Sequence, residues 1–298
     1  MPILVLHVLH VIQKSMILIA DSGSTKTNWI FLDAEGHKVK TQTTIGLNPY
    51  FVSEHQIQEV ASCVVANQVN DVNRVMFYGA GCGKIKKASI IQNVLETVFP
   101  NAFDIQVEGD ILGGARSTLQ NAPGISCIIG TGANSCVYDG EKIINNVPSL
   151  GYLLADYGSG AVMGKDVLSM VLQRKLPVDI TKEFYDFYQL DDREILDSLY
   201  NLPFVNRFLA SFVPFLLQYS EVEEFAQVIS QNFRKFFEYF VLPYFPENEN
   251  LPITIVGSVA FHFKSFIVEE AARLHIEINQ IVKNPMEGLI QYHTGVKV

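Results

Sequence analysis

The chain has 298 residues, of which 48% are hydrophobic and 18% charged, with a formal charge of −9. That length and composition exclude a disordered chain and give room for two domains, each with its own core. The negative charge argues against nucleic acid or an anionic membrane as the main partner, while a small anionic ligand can still be held by local backbone amides. None of the four cysteines, Cys63, Cys82, Cys127 and Cys136, forms a C-x-x-C pair, which argues against structural zinc and suits a reducing cytoplasm.

Residues 2–12 read PILVLHVLHVI, an apolar run too short for a membrane span and interrupted by His7 and His10. A signal peptide wants positive charge ahead of its apolar run, whereas here Lys14 follows it. Residues 1–15 are therefore expected to be an N-terminal extension or a start-site artefact. Met16 stands directly before the strand where the first domain would begin.

Short apolar runs bounded by turn residues then predict strands at 17–20, 29–32 and 39–44, with turns at 22–25 and 34–36. A helical period covers 56–69, a strand 74–78, a helix 85–99, a strand 103–107, and a further helix starts at Asp110 as its N-cap. The order is βββαβαβα. The pattern restarts with strands at 124–129, 135–138 and 142–144, and Asp139-Gly-Glu echoes Asp33-Ala-Glu-Gly. An echo offset by about a hundred residues is too long for a solenoid and fits a duplicated domain. Residues 156–245 read as helical, with an aromatic crowd at 204–245 expected to be helix packing. A strand at 253–256, a Gly-Ser turn and a helix at 259–274 follow.

Two polar hairpin turns carry the chemistry. Asp21-Ser-Gly-Ser-Thr-Lys-Thr27 follows an apolar strand, and Gly130-Thr-Gly-Ala-Asn-Ser135 occupies the equivalent place in the second copy. Such turns direct backbone N–H groups and hydroxyls at one anion, and an Asp at the strand end can hold hydrated Mg²⁺. Val256-Gly-Ser258 would let a flat base approach the backbone. Together the three pieces predict a nucleotide cleft.

In this order the motifs DSGSTKT (21–27), GLNP (46–49), YGAGC (78–82), VEGD (107–110), IIGTGANS (128–135), GYLLADYGSG (151–160) and IVGS (255–258) resemble the actin/sugar kinase/Hsp70 superfamily. Within it they resemble the N-acetylglucosamine kinases, grouped with the BadF/BadG/BcrA/BcrD-type ATPases. The resemblance implies an α/β, actin-like ATPase fold of two ribonuclease H-like lobes flanking an ATP and sugar cleft. The lobes would span 16–120 and 121–298, the second carrying a helical insertion at about 178–245. It implies Asp110 as the catalytic base, also touching substrate, and Asp21 as the Mg²⁺ ligand. Ser24, Thr25, Lys26, Thr27, Thr131, Gly132, Gly257 and Ser258 would bind ATP. Asn48, Asn134, Gly151 and Asp156 would bind the sugar hydroxyls. A cytoplasmic, ATP-dependent amino-sugar kinase follows, acting without nucleic acid or membrane and with homodimerisation left open.

Three departures bear on the acceptor. Tyr157 follows Asp156 where the family often has Glu, Leu150 stands where a Trp can precede the glycine, and Gly257-Ser258 replaces a typical Gly-Gly pair. Gly79-Ala-Gly-Cys-Gly83-Lys84 fails as a P-loop, because only three residues separate the glycines and Ile85 replaces the Ser or Thr. Two other functions stay open: an activator ATPase of the 2-hydroxyacyl-CoA dehydratase type, which needs cysteines sharing an iron–sulfur cluster, and a non-catalytic sugar or nucleotide sensor.

Overall fold

The computed structural model describes residues 15–65, 71–248 and 250–297. Apart from Ser15, the expected N-terminal extension lies outside the described residues, as do positions 66–69 of the helix expected to reach Val69.

The first sheet contains β1 (Met16–Ser22), β2 (Lys26–Leu32), β3 (Lys38–Ile45), β4 (Val72–Gly79) and β5 (Asp104–Gly109), in the order β3-β2-β1-β4-β5. The hairpin β1–β2 is antiparallel with Ala20 opposite Trp29, whereas β1, β4 and β5 run parallel. Helices α1 (Glu54–Val65) and α2 (Ile85–Val98) connect them, and α3 (Asp110–Leu119) follows β5. The alternation of β1 sends Leu18 and Ala20 to one core and Ile19 to another, so both faces of the sheet are covered.

The second sheet repeats this plan. It holds β6 (Gly124–Ile129), β7 (Ala133–Tyr138), β8 (Ile143–Asn145), β9 (Ile253–Val256) and β10 (Gln280–Val282), in the order β10-β9-β6-β7-β8. Strand β6 is antiparallel to β7 and parallel to β9, as β1 is to β2 and β4. The duplicated α/β plan expected from the sequence is thus present, with three-residue β10 as a fifth strand that the apolar pattern does not reveal.

Between β8 and β9 lie α4 (Gly160–Leu172), α5 (Val178–Tyr188), α6 (Asp192–Asn201), α7 (Val205–Ala210), α8 (Val213–Gln218), α9 (Glu223–Phe236) and α10 (Phe245–Asn248). A π-helical turn at Phe237–Val241 and a 3₁₀ turn at Leu242–Tyr244 join the last two. The aromatic crowd is packing: Phe184 stacks on Phe212 at 5.5 Å, and Phe236 on Phe240 at 5.5 Å, all buried. Beyond β9 come α11 (Ser258–His262), α12 (Lys264–Arg273) and α13 (Met286–Thr294).

The helices α3 and α13 cross between the units. Helix α3 follows the first sheet and packs on β6 and β9 of the second. Helix α13 follows the second sheet and seals the first, where Met286, Leu289 and Ile290 meet Ile19, Ile30 and Met76. They touch each other where a Cβ on Gly288 would lie 1.9 Å from the Ser117 carbonyl oxygen, so only hydrogen fits.

One local expectation is corrected. The N-cap of α3 is Gly109, in extended conformation, and Asp110 is the first helical residue. Its carboxylate instead accepts from the Ile111 amide at 2.9 Å.

Candidate active site

Parallel strands end side by side, so β1, β4 and β5 deliver Asp21, Gly79 and Gly109-Asp110 to one edge of the first sheet. Crevices at the carboxyl ends of such strands are the usual ligand sites of α/β sheets. Asp21 is pushed up to about 7 by burial, then by the Asp110 charge, while a hydrogen bond from the Asn28 side chain pulls it down. Asp110 rises to about 6 through burial, offset in part by the amides of Ile111 and its own residue. Asp156 also rises to about 6, through burial and the Asp110 charge, with the Ala133 and Gly151 amides pulling the other way. All three carboxyl groups are raised chiefly by desolvation, and the Asp110 charge is felt by both Asp21 and Asp156.

Asp156 comes from the second unit and holds a left-handed φ of 53°. Its Oδ1 is buried with no protein partner, and its Oδ2 lies 3.0 Å from where a Cβ on Gly132 would sit. The glycine lets the second hairpin approach the carboxylate. An unpaired buried carboxylate oxygen costs stability unless a ligand donor meets it.

The two hairpin turns face each other directly. Thr25 Oγ1 and Thr131 Oγ1 are 3.1 Å apart, joining positions 106 residues distant in sequence. The first turn is closed by the Gly23 amide on the Lys26 carbonyl at 2.9 Å, and rests on Gly46, whose amide donates to the Thr25 carbonyl at 3.0 Å. A Cβ on Gly46 would fall 2.3 Å from the Gly23 carbonyl oxygen, so this contact requires glycine. In the second turn the Gly130 carbonyl accepts from the Gly160 amide and the Thr131 carbonyl from Ala161, tying the loop to the start of α4. Gly257, at φ 140°, presses on the same loop; a Cβ there would sit 2.0 Å from the Ile129 carbonyl oxygen. Ser258 beside it is exposed.

Of the first-hairpin residues, Ser24 is half-buried while Thr25 and Lys26 are exposed at the tip. Thr27 is not at the cleft. It is fully buried, bonded to the Ile45 carbonyl at 2.9 Å and the Ser22 hydroxyl at 2.8 Å, and holds the base of the turn. Asn48 is buried; its Oδ1 accepts the Tyr50 amide at 3.0 Å and lies against Gly81, so the GLNP turn clasps the YGAGC turn. Asn134 Oδ1 accepts from the Ser135 amide at 2.9 Å and from Asn146 Nδ2 at 3.1 Å. Gly151 has φ 76° and its carbonyl receives the Leu154 and Ala155 amides, curling the loop that presents Asp156. Leu150 is 57% exposed at the rim of that loop, and Leu153 and Leu154 are more so.

Sequence reasoning missed four residues. Asn28 faces Asp21 across the hairpin, and pairing 21 with 28 follows from the turn's length once β1 and β2 are assigned. Cys82 is pushed up to about 12 by burial and the Asp110 charge, which places an uncharged thiol beside that carboxylate. Tyr244 is buried, and its hydroxyl receives the Val147 amide at 2.8 Å and bonds the Ser135 hydroxyl and carbonyl at 2.9 and 3.1 Å. It thereby fixes the strand bearing Asn134 to the segment leading into the Gly151 loop. Arg207 reaches from α7 to the Gly46 carbonyl. No local pattern announces these last two, because their partners lie 97 to 161 residues away.

No family model matches the sequence. A solved protein from Porphyromonas gingivalis, provisionally assigned as an N-acetylglucosamine kinase, is 38% identical with a TM-score of 0.89, covering 95% of this chain and 100% of that one. A ROK-family glucokinase from Streptomyces griseus, solved with glucose and AMPPNP, shares the fold at 15% identity and a TM-score of 0.60, covering 93% and 98%. Among curated proteins, the N-acetyl-D-glucosamine kinase of Dictyostelium discoideum is 25% identical over 205 residues, 62% of this chain and 64% of that one. The match thus spans just under two thirds of the curated relative's length. With paired hairpins that meet at Thr25 and Thr131 and a 38% identical relative aligned over nearly the whole of both chains, the chain belongs to the N-acetylglucosamine kinase family of the actin/sugar kinase/Hsp70 superfamily.

Proposed function

We propose that the protein transfers the γ-phosphoryl group of ATP to a hydroxyl of an amino sugar, N-acetylglucosamine or a close relative, with Asp110 as general base. The observation that carries this reading is Asp110 itself. It is a desolvated carboxyl raised to about 6 at the carboxyl end of β5, close enough to Asp21 of the first unit and Asp156 of the second for its charge to act on both. A base of that strength is ionised at neutral pH yet still binds a proton well enough to draw one from an attacking hydroxyl. The sugar oxygen attacks the γ-phosphorus, its proton passes to Asp110, and the bond to the bridging oxygen breaks to leave ADP.

In this reading Ser24, Thr25 and Lys26 of one turn and Thr131 and Gly132 of the other bracket the phosphates, with Thr27 supporting from below. Gly257 and Ser258 border the nucleoside. Asn48 from the first unit, taken as the lobe 16–120, and Asn134, Gly151 and Asp156 from the second, 121–298, hold the sugar. The orphaned Asp156 Oδ1 is the acceptor that a sugar hydroxyl would satisfy. Buried acceptors of this kind also select against sugars lacking that hydroxyl.

The donor set fits magnesium bound with the nucleotide. Among the described residues no group of three or more His, Cys, Asp or Glu forms a metal cage. Mg²⁺ needs none, since it commonly takes one or two carboxylates plus phosphate oxygens and water. Asp21, held near 7 by burial and by Asp110, is the carboxylate a cation would relieve. When bound, the ion neutralises charge developing on the transferred group.

The activator-ATPase reading is disfavoured by Cys127 and Cys136, both fully buried in the second sheet with thiols pushed up by burial, where thiolate ligation is costly. No helix among the described residues is long and apolar enough to cross a membrane. We place the enzyme in the cytoplasm, where ATP is available and its four free thiols stay reduced.

The test is a coupled ADP-release screen of the full chain against a panel of amino sugars. Sugar-dependent release is expected for N-acetylglucosamine or a near relative. Absence of release, together with absorbance at about 400 nm from a thiolate-bound iron–sulfur cluster, would overturn the reading.

A further inference from the structure

Helix α7 belongs to the helical segment of the second unit and is bound tightly to it. A Cβ on Gly164 of α4 would lie 1.8 Å from the Leu209 carbonyl oxygen, so the two helices touch backbone to backbone. Its other end reaches the first unit. Phe204, the residue before α7, has a left-handed φ of 60°, uncommon for a bulky side chain. That backbone carries the Phe204 ring edge-on to Phe51 at 6.3 Å, and against the core of the first unit.

Arg207 lies one turn further on. Its guanidinium covers the Phe204 ring at 4.0 Å, and Nη2 stands 3.5 Å from the Gly46 carbonyl oxygen, across 161 residues of sequence. That distance is the outer limit of a hydrogen bond. Its Nε is buried with no partner, and burial lowers its pKa. Gly46 is the residue on which the first hairpin rests, and it stands two positions before Asn48. A cation whose donors are incompletely used thus touches the one turn that links phosphate hairpin to sugar wall.

We propose that Arg207, seated on Phe204, is a positioning residue that latches the helical segment to the Gly46 turn and holds the two walls of the cleft in register for phosphoryl transfer. As a role in that reaction it rests on the kinase reading, while the latch itself exists without ligand. Through Gly46 the contact ties the first hairpin and the Asn48 turn to the second unit. Misalignment by an ångström between reacting groups is enough to cost about 10²-fold in rate.

The test uses the full chain as wild type, Arg207→Ala and Arg207→Lys. With a sugar the wild type phosphorylates, Arg207→Ala is expected to lower kcat and kcat/KM together by roughly tenfold or more, the pattern of an interaction needed beyond ground-state binding. Nucleotide should still bind at one per chain by calorimetry, with an unchanged melting midpoint, which separates positioning from a loss of folded enzyme. Lysine, which keeps a donor and charge but not the planar stack, should recover part of the rate. By small-angle scattering, ligand-free Arg207→Ala should show a larger radius of gyration than wild type. Wild-type kcat in Arg207→Ala, or a rate loss explained entirely by lost binding stoichiometry, would overturn the proposal. Should no sugar be phosphorylated by the wild type, the kinase reading fails separately; scattering then decides the latch, and an equal radius in the two proteins overturns it.

Discussion

In the proposed mechanism Asp110 is the residue on which the chemistry turns. Replacing it by Asn preserves shape but removes the proton acceptor, so turnover should fall roughly 10²-fold or more while ATP still binds, measured by steady-state ADP release beside calorimetry. The acid limb of kcat/KM should centre near the value of about 6 to which burial raises both Asp110 and Asp156, with activity lost below it. That limb belongs to the cluster rather than to either group alone.

The same shifts act on stability. Each of the three carboxyls titrates higher in the folded chain than its ordinary 3.8, so the fold binds the proton more tightly than the unfolded chain does. Their contribution is fully present below about 3.8, fades as pH rises through about 6 to 7, and is gone above. Asp21→Asn should therefore melt higher than wild type at pH ~8, by a few kcal/mol in stability, with the gap closing toward pH ~5. A thermal series without magnesium checks this; a gap independent of pH would contradict it. At this scale Asp21, Asp110 and Asp156 were legible as candidates because each sits in a recognisable turn. The inward position of the Thr27 side chain was not, because a hydroxyl in a polar hairpin reads the same whether it faces outward or into the core.

At the scale of elements, close backbone approaches do what side chains cannot. Gly288→Ala would force α13 off α3 at the Ser117 carbonyl and should cost about 2–3 kcal/mol, read by chemical denaturation. Gly83→Ala, with nothing within 4 Å of a new Cβ, should stay within about 0.5 kcal/mol of wild type. Tyr244→Phe removes a hydroxyl that joins β7 to the Gly151 loop through Ser135 and Val147. It should destabilise by about 1–3 kcal/mol and raise the sugar KM more than the ATP KM. The hairpins and parallel strands were legible because turn residues and apolar runs are local signals. Strand β10 was not, since one exposed and two half-buried residues in Gln280–Val282 carry no alternation, and it forms by pairing with β9. Helix α13 went unread because its apolar residues answer to a sheet more than 200 residues earlier in the chain.

For the whole molecule, the duplicated plan gives two similar sheets, and the exchanged helices α3 and α13 join them. The repeat was visible as an echo of turns; the helix exchange was not, since it depends on which sheet each helix meets. The proposed site therefore draws on both units: Asp21 and Asp110 come from one, Asp156 and Thr131 from the other. The most direct test of that shared site is product formation. Wild type and Asp110→Asn are incubated with Mg-ATP and N-acetylglucosamine, and the sugar is analysed by mass spectrometry. One phosphoryl group gained by the sugar with the wild type, and almost none with Asp110→Asn despite bound ATP, is the expected result. ADP formed without any phosphorylated sugar, or equal product from both proteins, would contradict the account.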